Sequence, residues 1–182
     1  YDGLKIGIYV RGDGLDSKSK YKGPKEYVLA FKGTTPTSKE DWENNIQQYM
    51  GDYSEHLMSG IEYTSWFVKE KSDYEITFTG HSKGGGEAAV NAMFSNKEAI
   101  VFNPSIPDIT NYIDKDRQKK VTSYVVSEEI LNHYFGEMPG NRTVYLPKQH
   151  DGWLPGISTL DRINNHSMKS AVIPALKEKG YR

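Results

Sequence analysis

The run Glu75-Ile76-Thr77-Phe78-Thr79-Gly80-His81-Ser82-Lys83-Gly84-Gly85-Gly86-Glu87-Ala88-Ala89 leaves the chain few folds to choose from. A short strand leads into Gly80-His81-Ser82-Lys83-Gly84, and small residues then open a helix that Val90, Ala92, Met93 and Phe94 continue. When a strand turns sharply into a helix the two backbones come close. The spacing Gly-x-Ser-x-Gly then removes side chains where they would collide. The same turn lifts the central serine hydroxyl to the top of a sheet, which is the arrangement of a nucleophile elbow. At the start of the helix, backbone N–H groups and the helix dipole favour a developing negative charge. Ser82 is therefore the candidate nucleophile. The alternative is an ordinary glycine-rich turn, and the flanking strand and helix weigh against it.

Strands are predicted at Leu4–Val10, Tyr27–Phe31, Ala99–Phe102, Val121–Val126 and Thr143–Pro147, besides the strand of the elbow. Tyr27–Phe31 is nearly continuous in apolar character, as in strands covered on both faces. Thr37 or Ser38 is placed to cap a helix carrying Glu40, Asp41, Trp42, Ile46 and Tyr49. Leu57, Ile61, Phe67 and Val68, with Tyr53 and Trp66, predict a helix over Tyr53–Lys71 that lies on the sheet. Met50, Leu57, Met58 and Trp66 are read as part of that packing rather than as a membrane attachment. The segment from Asp108 to Lys120 is polar, a surface helix or loop. A loop with Gly152, Pro155 and Gly156 leads to His166, and Ser167–Lys179 reads as a terminal helix that Gly180 stops. Pro174 should kink that helix or mark a boundary. Strands alternating with helices predict an α/β fold with a mainly parallel central sheet and helices on both faces.

With 182 residues and no linker or internal repeat, residues 1–182 read as a single domain. The chain opens at Tyr1 rather than Met, which suggests a piece cut from a longer protein. A net charge of −1 gives no reason to expect nucleic acid as a partner. Cysteine is absent, so disulfides are excluded and the redox compartment is left open. No apolar run is long enough to span a bilayer, and no signal peptide is visible. Arg11-Gly12-Asp13 sits in a Gly/Asp-rich turn and reads as that turn rather than as an adhesion-receptor motif.

A serine hydroxyl needs a base, and the base needs an orienting acid. On sheets with this elbow both partners follow the serine, the acid before the histidine. His166 lies after the last predicted strand and before the last helix, where the base belongs; His150 and His133 are the alternatives. His81 reads as support for the turn. The acid should end the strand Val121–Val126, which points to Glu129, then Glu128, with Asp151 and Asp161 as outside choices. Asp114 and Asp116 come before that strand and are too early. An oxyanion needs two N–H donors, one from the residue after the nucleophile, which is Lys83. The other should come from the loop after an earlier central strand, and Gly33-Thr34 fits. No metal is implied, because the histidines lack a His-x-x-x-His spacing.

Taken together these segments resemble the class 3 lipase family, in particular bacterial relatives with a Gly-His-Ser-Lys-Gly-Gly elbow. The resemblance runs through Val28 to Thr34, Asp41-Trp42-Glu43-Asn44-Asn45, Ile76 to Gly85, Val101-Phe102-Asn103-Pro104, Glu129-Ile130 and His166. It implies an α/β-hydrolase fold, with the Thr34 and Lys83 amides as oxyanion hole and Thr34 Oγ assisting. The Asp41-Trp42 segment resembles the family stretch that follows the oxyanion loop, near which fungal members place a mobile lid. Lys32 stands where the family usually has Arg, Lys83 where fungal lipases carry Leu, and Glu129 where the acid is most often Asp. The chain is shorter than a fungal lipase, so lid and acyl groove are expected to be reduced.

The resulting expectation is a serine ester hydrolase of lipid acyl esters, of lipase or phospholipase A1 type, working through Ser82, His166 and Glu129 or Glu128 without a cofactor. Its partner is a lipid or other acyl-ester substrate, with transient contact at a membrane surface and no nucleic acid. The competing readings are a short-chain ester or thioester hydrolase, and a catalytically silent hydrolase-fold binding module of a larger protein. Localisation is left open between secretion and residence in a larger bacterial protein.

Overall fold

The computed structural model describes residues 5–12, 23–33, 54–107, 110, 113–136, 142–152 and 158–181. The expected cap at Thr37 or Ser38, its helix, Met50 and Thr34 lie outside the described residues.

Among the described residues six strands form one sheet in chain order: β1 (Ile6–Arg11), β2 (Glu26–Phe31), β3 (Glu75–His81), β4 (Glu98–Phe102), β5 (Val121–Val126) and β6 (Arg142–Leu146). β1 is antiparallel to β2, and every later pair is parallel. The fold is α/β with a mainly parallel sheet. Register aligns the strand ends: Phe31 sits beside Gly80, His81 beside Phe102, and Val126 beside Leu146. The carboxyl ends of β2 to β6 thus share one edge of the sheet, the edge where open α/β sheets build their sites.

Side chains alternate between the two faces along each strand. Leu29, Phe31, Ile76, Phe78, Ala99, Val101 and Val121 meet Ala88, Ala89, Ala92 and Met93 of helix α2 (Lys83–Ser95) and Phe67 of helix α1 (Ser54–Glu70). Phe102, Tyr124 and Val126, from alternate positions of β4 and β5, meet Ala171, Val172 and Ala175 on the other face. Helical segments therefore cover both faces, as the strand–helix alternation predicts.

Within α1, Leu57 and Phe67 are buried, and Ile61 and Val68 pack beside them. Met58 and Trp66 lie off this stripe by about one quarter and one half of a helical revolution. They are 59% and 56% exposed, so they take no part in the packing expected of them. Thr64 and Asn91 join α1 to α2: Thr64 Oγ1 donates to Asn91 Oδ1 at 2.8 Å, and Asn91 Nδ2 donates to the Glu87 carbonyl at 2.8 Å.

After β4 the chain forms a four-residue helix α3 (Lys115–Gln118), in the segment read as polar surface. Gln118 nevertheless turns inward and donates to the Thr110 carbonyl at 2.8 Å. Helix α4 (Ile130–Phe135) follows β5.

The C-terminal region differs from expectation. His166 is not on a loop but is the last residue of a helix, α5 (Thr159–His166). That helix starts with a capping box, in which Ser158 Oγ accepts from Asp161 N and Asp161 Oδ2 accepts from Ser158 N, each at 3.2 Å. The expected single helix over Ser167–Lys179 is instead a π-helical turn, Met168–Val172, followed by α6 (Ile173–Glu178). Pro174 sits at the start of α6, where a missing N–H breaks no intrahelical bond.

Candidate active site

The elbow is built by backbone contact. A Cβ on Gly80 would lie 2.2 Å from the Gly84 carbonyl oxygen, and one on Gly84 would lie 2.4 Å from the Phe31 carbonyl oxygen. Neither position admits any other residue without opening the turn. Between them Ser82 adopts φ 58° and ψ −129°, a left-handed conformation that L-residues rarely take. The strain is held by hydrogen bonds around the serine. Ser82 N donates to the Phe102 carbonyl at 3.1 Å, and the Ser82 carbonyl accepts from Gly85 N, Gly86 N and Ser105 N at 2.9, 3.1 and 3.1 Å. The backbone of Ser82 is thereby fixed at the carboxyl edge of the sheet.

Lys83 is the first residue of α2, so its N–H lies in the turn where helix amides point out of the N-terminus. The end of β2 leans directly on the elbow. A Cβ on Gly33 would lie 2.5 Å from the His81 carbonyl oxygen and 3.3 Å from Gly84 N. The loop after β2 therefore begins against the first turn of α2, and Thr34 is its next residue, outside those described.

At the end of β5 the two glutamates part. Glu128 takes φ 65°, in the left-handed region, and this bend sends consecutive side chains in different directions. Glu128 turns outward, its side chain 46% exposed, and pairs with Arg162 of α5. Glu129 turns inward, is fully buried, and caps α4. Its Oε2 accepts from Leu131 N at 3.0 Å and its Oε1 accepts from Asn132 N. Oε2 also accepts from His166 Nδ1 at 2.6 Å. The carboxylate is an acceptor in all three contacts. His166 thus has its Nδ1 proton held by Glu129, which leaves Nε2 as the basic nitrogen.

The imidazole of His166 is 1% exposed and packs against that of His81, ring centroids 4.8 Å apart and tilted by 43°. His81 immediately precedes Ser82, so the contact draws the Glu129–His166 pair to the elbow. His81 Nε2 donates to the His166 carbonyl at 2.7 Å. Burial, with repulsion from His166, lowers the His81 pKa to about 4, although the carbonyl contact works the other way. His81 is therefore neutral at ordinary pH. Asn103 Nδ2 donates to the same carbonyl at 3.1 Å and to the Asn165 carbonyl at 3.2 Å, while Asn103 Oδ1 accepts from Val126 N at 2.8 Å. Asn165 in turn ties α5 to the segment after β6, its Oδ1 accepting from Gln149 N and His150 N, both at 2.9 Å.

The remaining sequence candidates lie in other contacts. His133 meets the ring of Tyr134 edge-on, and His150 Nε2 contacts the Ser170 carbonyl at 3.1 Å. Asp151 pairs with Lys148 at 2.7 Å, and Asp161 serves the cap of α5. Sequence reasoning missed Asn103, Asn165 and α5 itself. The pattern Ser158-x-x-Asp161 is a capping-box signal that marks the helix start. No comparable pattern marks Asn103, whose role depends on three separate elements meeting.

Behind the elbow, Glu87 is nearly buried on α2 with Lys83 Nζ 3.9 Å away. Burial raises its pKa to about 7, against the opposing pull of Lys83.

Over 83 residues, 46% of its length, this chain is 34% identical to an extracellular phospholipase A1 of Serratia liquefaciens. The matched stretch spans only about a quarter (25%) of that relative's length. The crystal structure of the Lip2 lipase of Yarrowia lipolytica is similar over 76% of this chain and 68% of that one, at 16% identity and a TM-score of 0.44. Residues 8–135 match the family described as phospholipase-like, Tle-like phospholipase domain, and the chain belongs to that family.

Proposed function

We propose that this member of the Tle-like phospholipase family hydrolyses carboxylic acyl esters of phospholipids, with Ser82 as nucleophile, His166 as base and Glu129 as orienting acid. The reading rests above all on the buried 2.6 Å contact between His166 Nδ1 and Glu129, drawn against the residue that precedes Ser82. His166 Nε2 takes the Ser82 proton as Oγ attacks the ester carbonyl. The negative charge that develops on the carbonyl oxygen falls at the N-terminus of α2, where the Lys83 amide is one donor and the loop beginning at Gly33-Thr34 supplies the other. As the tetrahedral intermediate collapses, His166 returns the proton to the leaving alcohol, and an acyl-enzyme remains on Ser82. Water, deprotonated by His166, then releases the fatty acid and restores the hydroxyl. The same reading takes residues 1–182 as a single domain.

The kinship with class 3 lipases, and a phospholipase A1 regiochemistry like that named for the Serratia relative, belong to the same proposal. The test combines fluorophosphonate labelling with hydrolysis of phosphatidylcholine carrying distinguishable acyl chains. Labelling abolished in Ser82→Ala and His166→Ala, with release of the sn-1 chain, is the expected result. Release of the sn-2 chain alone refutes the regiochemistry. Folded wild-type protein that takes no label refutes the catalytic reading and leaves a binding module.

A further inference from the structure

We propose that His81 and Asn103 clamp the main-chain carbonyl of His166 and act as positioning residues for the base; this rests on His166 being the base. The last carbonyls of a helix have no intrahelical N–H to accept from. The carbonyl at the end of α5 is met by two side chains at once, His81 Nε2 at 2.7 Å and Asn103 Nδ2 at 3.1 Å. A carbonyl oxygen only accepts, so both groups donate, and His81 carries its proton on Nε2.

The two donors come from the ends of neighbouring strands, His81 closing β3 and Asn103 just after β4, and each is tied to another member of the site. His81 ends β3 and is covalently joined to Ser82. Asn103 follows β4 at φ 39°, a left-handed conformation that Asn tolerates better than most residues. Its Oδ1 holds Val126 N at the end of β5, at 2.8 Å, three residues before Glu129. One carbonyl thus fixes the backbone of the base relative to both the nucleophile's strand and the acid's strand.

Glu129 holds the imidazole through Nδ1. The direction in which Nε2 points also depends on where the His166 backbone sits, and that backbone terminates a helix of 8 residues. A displacement of about 1 Å in a reacting group costs on the order of 10²-fold in rate. His81 suits the task because it donates while neutral, and so sets no second cation beside the imidazolium that forms during turnover.

The experiment measures kcat and KM with p-nitrophenyl butyrate, together with melting temperature, in the 182-residue chain. His81→Leu removes one donor. Asn103→Asp keeps the acceptor for Val126 N but faces the His166 carbonyl with an oxygen. His81→Gln returns an N–H at nearly the same reach. The expected result is a loss of kcat of about 10²-fold in His81→Leu and Asn103→Asp, KM within about threefold, and recovery of at least about tenfold in His81→Gln. The double variant falls short of the product of the single losses, because both donors serve one oxygen.

Folded His81→Leu with kcat within about threefold of wild type overturns the clamp, as does a loss confined to KM or one that His81→Gln does not recover. Should the variants not fold, 15N-resolved histidine spectra of wild type decide: Nε2–H on His81 supports the clamp and Nδ1–H overturns it. Hydrolysis that survives Ser82→Ala unchanged removes the catalytic reading itself. Activity lost in Ser82→Ala but untouched by His81→Leu removes the clamp alone.

Discussion

Glu129→Gln keeps the shape of a fully buried side chain and turns one acceptor into a donor, so its consequences follow from three contacts. Oε2 serves both His166 Nδ1 and Leu131 N, and Oε1 serves Asn132 N. If the amide nitrogen replaces Oε2, two donors lose their acceptor and His166 must shift its proton to Nε2, the nitrogen that the proposed chemistry uses as base. If it replaces Oε1, only the Asn132 amide is orphaned, at about 1–3 kcal/mol, so this orientation is preferred. The tautomer of His166 then survives, but the imidazolium formed in the transition state loses its negative partner. Two unit charges about 4 Å apart at an effective dielectric near 20 attract by about 4 kcal/mol, close to 10³-fold in rate. Where the tautomer does shift, the loss approaches about 10⁴-fold. The expectation is therefore a kcat down by about 10³- to 10⁴-fold with KM little changed. A stability loss of about 2 kcal/mol should lower the melting temperature by about 4–8 °C. Ester turnover with a circular-dichroism melt on the same sample measures both. A variant folded at the assay temperature and within about tenfold of wild-type kcat would refute the role given to Glu129.

Glu128→Gln removes an outward ion pair with Arg162, so stability should change by less than about 1 kcal/mol and kcat by no more than about threefold, read in the same two assays. Glu87 and His81 give opposite pH slopes. The folded pKa of Glu87, about 7, lies above the 4.5 of the unfolded chain, so its contribution is lost as pH rises from 4.5 to 7, by about 3 kcal/mol. The folded pKa of His81, about 4, lies below 6.5, so its contribution is lost as pH falls from 6.5 to 4. Melting curves between these limits should show Glu87→Gln steepening the gain in stability with pH and His81→Gln reversing it; parallel curves would refute the assignments. Gly80→Ala drives a Cβ to 2.2 Å from the Gly84 carbonyl oxygen and should cost about 3 kcal/mol or more. At Gly136 a Cβ meets nothing within 4 Å among the described residues, and the backbone conformation, φ 78° and ψ −156°, opposes it at about 1–3 kcal/mol. Chemical denaturation of the two alanine variants makes that comparison.

The elbow and the parallel sheet were legible because their causes are local. Tyr27–Phe31 and Ala99–Phe102 carry the dense apolar character of covered strands, and glycines at positions 80 and 84 announce a backbone collision. The choice between Glu128 and Glu129 was not legible in the same way, since a single dihedral at Glu128 decides which carboxylate points inward. Helix α5 escaped because Thr159-Leu160-Asp161-Arg162-Ile163-Asn164-Asn165-His166 has no apolar stripe. Its inner face is polar, with Asn165 and His166 buried through hydrogen bonds, and periodicity arguments see only apolar faces. The outward placement of Met58 and Trp66 shows the converse error, in which large apolar residues were assigned to a packing face on composition when their angle on α1 turns them away.

The order in which the sheet is assembled has a consequence in time. Each strand neighbours the strand before it, so a chain emerging from a ribosome can extend its sheet without reopening it for a later insertion. The segment shared with the family ends at residue 135 and already holds Ser82 and Glu129, whereas His166 arrives later with α5. On the proposed chemistry, a nascent chain halted before α5 holds a serine and an acid with no base between them. Competence then arrives in one event, when α5 docks and its last carbonyl reaches the ends of β3 and β4, so no ester could be cut before that helix is made.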